Sequence, residues 1–400
     1  MVTRNFDIVI VGAGVIGLTT GLEILRLNQK LSILIIEKEE QYGGHASGRN
    51  SGVLHAGFYY KPDSKKAQFS KEGNTQLSKF CLQNRIKLNR CGKVVVAQNN
   101  SEAEIIDQLY EQGRSSGVDL EVIDSEFLHK FEPLAKTWKK FLWSPSTSVV
   151  DPLKVLQTIA SLYIQLGGVF SFGLPIELLE PKVLRLGKER ITYTHLINAA
   201  GSQSDRIAQF FGEAKDYLMV PFVGIYKSIP HNLLPIRTLV YPVPNLANPF
   251  LGVHFTLTPN SKVTIGPTAI PLFGREQYSI NTFPRIQDLI DSTRGYFSLA
   301  SNTKVDLSKI ARLELAMLSK KLMVREAQKL IPSTPPASFW DKSKIGIRSQ
   351  LVNLKTGEMV QDYLILDSAS ETHLLNIVSP GFTSAFPLAK EIAKSVLKRI

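Results

Sequence analysis

The pattern that most restricts this chain lies between Phe6 and Glu40. An apolar, largely β-branched run from Ile8 to Val11 is followed at once by glycines at positions 12, 14 and 17. Such a run suits a strand buried on both faces of a parallel sheet. Each glycine has a mechanical reason: Gly12 permits a tight turn, Gly14 admits the backbone to a pyrophosphate, and Gly17 lets the next helix pack on the strand. Leu18, Leu22 and Leu25 line one face of that helix, and Leu31 to Ile36 forms a second buried strand ending at Glu37. Phosphates favour the helix N-terminus, where unpaired N–H groups and the dipole attract negative charge. Glu37, with Lys38 beside it, stands twenty residues after Gly17. A carboxylate there accepts ribose hydroxyls and repels a 2′-phosphate. Strand, glycine turn, helix, strand and acid in register predict a dinucleotide-binding unit.

That unit resumes later in the chain. Asp151-Pro152 caps a helix whose apolar face carries Leu156, Ile159, Ala160 and Tyr163, and Gly167-Gly168 ends it. Strands follow at Val169–Phe172 and Leu196–Ala199, then a small-residue turn at Ala200-Gly201 and a helix from about Ser204. Between these pieces, "CGKVVVAQ", "LVYPVP", "LGVHFTL" and "KVTIGP" read as short strands of an antiparallel sheet. Ser101 and Glu104 form a capping box, and "PSTPPAS" reads as a linker back to the first domain. The C-terminal helix turns Leu388, Ile392, Val396 and Leu397 to one side. The expected fold class is α/β: a Rossmann-like nucleotide domain (1–80, 150–215 and 342–400) interleaved with an antiparallel-sheet α+β substrate domain (81–149 and 216–341).

Composition narrows the function classes. With 44% apolar and 20% charged residues the chain is an ordinary globular protein. Two cysteines, Cys81 and Cys91, and seven scattered histidines give no metal-binding spacing, so no metal is expected. The net charge of +12 attracts anions, but the basic residues are dispersed, with no aromatic-interleaved stripe of the kind that binds nucleic acid. No stretch is apolar for long enough to span a bilayer, which leaves a cytoplasmic protein or one held peripherally on the inner face of the membrane.

The loop "GHASGRNSGVLHAGFYYKPDS", from Gly44 to Ser64, has no clean helical or strand period. Gly43-Gly44 follows directly on the second strand and its acid, so the loop runs beside whatever the first glycine turn grips. FAD is longer than a nicotinamide cofactor and profits from such extra backbone approaches. With "VGAGVIGL", "RCGKVVVA", "INAAGSQSDRIA", "YPVPN…PFLGVHFT", "GPTAI", "GIRSQLVN" and "SPGFTSAFPLA", the chain resembles the D-amino-acid oxidase-like flavoproteins over nearly its whole length. Within that superfamily it looks most like the L-2-hydroxyglutarate dehydrogenases and oxidases, through "SGVLHAGFYYKP" and "FLGVHFT" in particular. It departs from that branch at Val223-Gly224, where Arg-Gly is common, and at Thr268, where asparagine is usual.

The resemblance implies FAD-dependent oxidation of a small anionic hydroxy acid, with noncovalent FAD and with quinone or oxygen as electron acceptor. The two departures keep open another hydroxy acid, an amine or glycerol-3-phosphate as substrate, and the charge keeps open a tRNA-modifying role. Oxidising a 2-hydroxy acid needs a cationic clamp for the carboxylate, a base for the hydroxyl proton, and C2 directed at flavin N5. Arg348 is the candidate clamp, because guanidinium matches a carboxylate with two donors. His55 and His254 are the candidate bases, since imidazole accepts a proton near neutral pH; alternatively His55 holds the loop against the flavin and His254 binds the carboxylate. Tyr59 and Tyr60 suit the orientation of a polar acid or, equally, plain packing. Arg275 is a candidate for a second carboxylate or a solvated charge. Ser47, Arg49, Asn50 and Ser51 are assigned to pyrophosphate or flavin edges, and Gly44, Gly201, Gly381 and Thr383 to close backbone approach.

Overall fold

The computed structural model describes residues 2–244, 251–279, 282–302 and 307–400. The strand Thr3–Val11 forms the spine of an eight-stranded sheet. It pairs in parallel with Ile33–Ile36 on one side, with Ile8 opposite Ile33, and with Glu189–Asn198 on the other. Ile8, Val9 and Ile10 are fully buried, as a both-faces strand requires. The strand Val169–Ser171 extends one edge, and Glu371–Leu375 lies parallel to the far side of Glu189–Asn198. The helix Val15–Leu27 follows the glycine turn and packs against the helices Pro152–Gln165 and Ala385–Leu397. In Ala385–Leu397 the apolar face is buried through Leu388, Ile392 and Val396, so this helix offers no apolar side to a membrane. The Asp151 side chain accepts from the amide of Leu153 at 2.9 Å and starts the Pro152 helix.

The second sheet has ten strands. Lys93–Val96, Leu239–Pro242, His254–Leu257 and Lys262–Gly266 are all in it, with Tyr217–Pro230 and Asp341–Asn353 as its longest members. Its ladders are antiparallel except where Leu239–Pro242 runs parallel to Lys93–Val96, a departure from the purely antiparallel expectation. The strand Asp341–Asn353 pairs with Tyr217–Pro230 along most of its length. After Asn353 the short strand Glu358–Met359 pairs back onto Asp341–Asn353, so the chain stays in this sheet as far as Met359, and "PSTPPAS" leads into the second sheet rather than out of it. Expectation also misses at the helix Asn100–Ser115. Asn99 caps it by accepting from the Glu102 amide at 3.0 Å, while the Glu102 carboxylate accepts from the Gln98 amide at 2.8 Å. The capping box is thus built by Asn99 and Glu102, two residues before Ser101 and Glu104.

A small sheet of Val53–Leu54, Ser148–Val150 and Leu88–Asn89 ties the Gly44–Ser64 loop between the two large sheets.

Candidate active site

A cavity of about 610 Å³ runs from the glycine turn into the face of the ten-stranded sheet. At its nucleotide end Gly12 has φ +106°, and a Cβ there would lie 2.5 Å from the Ala199 carbonyl oxygen. Gly17 does not line the cavity; a Cβ on it would lie 2.0 Å from the Gly12 carbonyl oxygen, so it serves the helix–strand contact. Gly14 lines the cavity, and the Ser47 hydroxyl accepts from the Val15 amide at 2.9 Å, which pins the Gly44–Ser64 loop to the helix N-terminus. Glu37 is buried, accepts from the amides of Ala13 (3.0 Å) and Glu39 (3.1 Å), and still borders the cavity.

Lys38, Gly44, Arg49, Asn50, Ser51, Gly201, Gly381 and Thr383 line the same space. The Arg49 guanidinium donates to the Gly44 carbonyl at 2.8 Å and lies 4.0 Å from the ring centroid of Tyr278. Lys38 is held between the carboxylates of Glu276 (2.5 Å) and Glu39 (3.1 Å). Glu39, Glu276 and His45 are the one candidate metal cluster among the described residues, and the Lys38 ammonium already pairs with both of its carboxylates. The glycine turn, the bordering acid and the helix N-terminus that lines the cavity form a groove that fits the pyrophosphate and ribose of FAD.

At the other end stand His55, His254 and Arg348. His55 is positioned through its backbone: its amide donates to the Thr383 hydroxyl at 3.1 Å, and Asn74 donates to the carbonyls of Leu54 (3.0 Å) and His55 (3.3 Å). His254 is buried, and its Nδ1 lies 2.8 Å from the Gly252 carbonyl. A carbonyl only accepts, so Nδ1 carries the hydrogen and the neutral ring keeps Nε2 as an acceptor. Burial, then the nearby Lys93 charge, pushes His55 down to about 3. Burial also lowers His254 to about 4, against the opposing pull of the Gly252 carbonyl. Both imidazoles are therefore neutral at pH 7.

Arg348 sits in the strand Asp341–Asn353, opposite Phe222, and donates to Gln350 Oε1 at 3.1 Å. Gln350 is itself held by the Val360 carbonyl (2.8 Å) and Asn376 Oδ1 (3.1 Å). Burial pushes the Tyr60 hydroxyl up to about 12, against the Arg348 charge and a hydrogen bond with Ser379. Tyr60 is not among the cavity-lining residues. Tyr59 packs with the core of the second sheet, its ring 4.2 Å from that of Phe58.

Arg275 does not offer a free charge to a second carboxylate. It is fully buried, with Nη2 2.9 Å from Asp205 and 3.1 Å from Asp291, and Nη1 donates to the Ser202 carbonyl at 2.9 Å. Thr268 occupies its unusual place for a visible reason. Its hydroxyl donates to the Val223 carbonyl at 3.0 Å and accepts from the Ile225 amide at 3.0 Å, shaping the wall at Gly224. Asn245, Pro249 and Phe250 of the "YPVPN…PFLGVHFT" motif lie outside the described residues.

Sequence reasoning missed Tyr226, Tyr241 and Lys93. Tyr226 lines the cavity and shares a hydrogen bond with Ser51. Tyr241 stacks on His254, and Lys93 lies behind it. The one local signal was a lysine inside the apolar run of "CGKVVVAQ".

The chain is similar to known proteins over nearly its whole length. L-2-hydroxyglutarate dehydrogenase of Indibacter alkaliphilus is 32% identical over 405 residues, covering 99% of this chain and 100% of that protein. The human mitochondrial L-2-hydroxyglutarate dehydrogenase is 31% identical, covering 99% of this chain and 90% of its own length. Among solved structures, the FAD-bound L-α-glycerophosphate oxidase of Mycoplasma pneumoniae superposes with a TM-score of 0.76 at 20% identity, covering 99% of this chain and 95% of that one. Glycine oxidase of Geobacillus kaustophilus gives 0.73 at 17%, covering 99% and 96%. The family model for FAD dependent oxidoreductases matches residues 7–395, and the chain belongs to that family.

Proposed function

We propose that this FAD-dependent oxidoreductase converts L-2-hydroxyglutarate to 2-oxoglutarate. The observation that carries the reading is the meeting of Arg348 with two neutral histidines in the cavity that the glycine turn opens. Similarity to L-2-hydroxyglutarate dehydrogenases over nearly the full length supports the same substrate. When bound, FAD supplies the two-electron acceptor for the hydride leaving C2. Arg348 holds the substrate carboxylate, His254 Nε2 takes the hydroxyl proton, and His55 completes the wall. FAD is held noncovalently in this reading: Cys81 and Cys91 lie outside the cavity, and burial pushes both thiols up to about 12. Chromatographic detection of 2-oxoglutarate from the L substrate, in the presence of an artificial electron acceptor, tests the reaction. No product from it, with turnover of glycerol-3-phosphate or an amino acid instead, would overturn the substrate.

For the electrons, we favour a quinone reached at a membrane surface. No helix among the described residues is long and apolar enough to cross a membrane. The helix Ile286–Ser301 nevertheless exposes Ile286, Ile290 and Phe297 at helical spacing, with Phe283 96% exposed just before it. Arg285 and Arg294 stand exposed beside them. An apolar face edged with arginines suits the headgroup region of an anionic leaflet.

A further inference from the structure

Lys93 opens the strand Lys93–Val96 and is fully buried. Its ammonium lies 4.4 Å from the ring centroid of Phe58, 4.6 Å from Tyr59 and 5.0 Å from Tyr241, and it has no hydrogen-bond partner among the described residues. The far side of this aromatic wall is the cavity. Tyr241 lines it, with His254 stacked on Tyr241 at 3.9 Å, and the Lys93 charge acts on both His254 and His55. The titratable groups around Lys93 are therefore two imidazoles and the phenols of Tyr59 and Tyr241, and none of them carries a negative charge at neutral pH. A buried cation with only ring faces for company is under-compensated, because cation–π attraction does not replace lost hydration. Such an amine either sheds its proton or gains a counter-charge, and the space beside it that can admit an anion is the cavity behind Tyr241 and His254.

We propose that Lys93 is a positioning residue that makes the site selective for dicarboxylates: the second carboxylate of the substrate supplies the counter-charge for the Lys93 ammonium across the Tyr241–His254 wall. The proposal rests on the hydroxyglutarate reading and specifies how that site tells a dianion from a monoanion.

The consequence is a coupled proton. Burial lowers Lys93 to about 7, so above that pH the free enzyme holds it mostly neutral. A dianion in the cavity favours the charged form and raises that value, so binding draws a proton from solution above pH 7. Below pH 7 Lys93 is already charged, and the uptake fades.

Titration calorimetry of the FAD-loaded enzyme reads this directly with glutarate, a dicarboxylate that offers no hydroxyl to oxidise, and butyrate, its monoacid counterpart. Runs at pH 8 and pH 6 in buffers of different ionisation heat give the protons exchanged. The wild-type enzyme should take up most of one proton with glutarate at pH 8, far less at pH 6, and none with butyrate. Lys93→Met should abolish the uptake and weaken glutarate at least ten-fold while leaving butyrate unchanged. Lys93→Arg, charged at all these pH values, should keep tight glutarate binding without uptake. A wild-type enzyme that takes up no proton with glutarate, or a Lys93→Met enzyme that takes up as many, overturns the assignment. If Lys93→Met fails to fold, the wild-type and Lys93→Arg titrations decide. Reduction of the enzyme by L-2-hydroxyglutarate without this uptake sinks Lys93 alone; uptake without such reduction sinks the hydroxyglutarate reading alone.

Discussion

The imidazole of His254 lies over the phenol ring of Tyr241, centroids 3.9 Å apart and planes 25° from parallel, while its Nδ1 is fixed 2.8 Å from the Gly252 carbonyl. Stacking sets the plane of the ring and the carbonyl sets its tautomer, so His254 is held as a neutral base. His254→Ala should keep FAD and still bind product, yet reduce substrate turnover about 10²–10⁴-fold, the usual worth of a positioned general base. In the wild-type enzyme the acid limb of kcat/KM should fall near pH 4, where burial places His254, and not near 6.5. An acid limb at 6.5, unchanged in the variant, would remove His254 from the proton transfer.

Arg348 carries the substrate carboxylate in this account. Arg348→Ala should weaken binding of 2-oxoglutarate by about 1.5–3 kcal/mol, the range for a hydrogen bond to a charged group, with the flavin content unchanged. Arg348→Lys should recover only part of this, because an ammonium lacks the planar two-donor fork. Visible difference spectra during titration give both affinities.

Gly12→Ala places a methyl group 2.5 Å from the Ala199 carbonyl oxygen on a backbone with φ +106°. The variant should purify with little flavin and regain little on addition of FAD, measured by absorbance after gel filtration. A fully yellow variant would mean that the turn is not held closely.

His195 lies outside the cavity, is fully buried and bonds to the Thr372 hydroxyl at 3.0 Å. Burial, followed by the Arg399 charge, lowers it to about 4 from an ordinary 6.5. Below pH 6.5 the unfolded chain then binds more protons than the folded one. Stability present above pH 6.5 is lost as the pH falls towards 4, by about 1.4 kcal/mol per pH unit for such a group. Urea denaturation at pH 7 and pH 5 should show a smaller loss for His195→Gln than for the wild type.

The exposed face of the helix Ile286–Ser301 should bind vesicles containing phosphatidylglycerol, and Ile286→Ser with Phe297→Ser should abolish co-sedimentation without affecting reduction by substrate. Equal sedimentation of the double variant would move the contact elsewhere.

Local signals and long-range packing divide what could be read from the chain. The nucleotide half was legible because its marks lie within one βαβ unit: a buried strand, glycines forced by contacts at 2.5 and 2.0 Å, and Glu37 at the next strand end. Arg348 and both histidines were visible as residue types, but their convergence depends on strands far apart in sequence. Arg275 misled because nothing beside it in the chain announces Asp205 and Asp291, which pair with it in the fold. Lys93 escaped notice for the same reason: Phe58, Tyr59 and Tyr241, which bury it, come from two distant segments. "PSTPPAS" marks a break in the chain but does not say which sheet receives the next strand, and Asp341–Asn353 joins the ten-stranded one.

The most direct test of the central claim is an anaerobic titration of the purified yellow protein, following the visible flavin band. L-2-hydroxyglutarate should bleach it stoichiometrically, whereas the D enantiomer, glycerol-3-phosphate and amino acids should leave it oxidised. A flavin band untouched by the L enantiomer and bleached by one of the others would contradict the account.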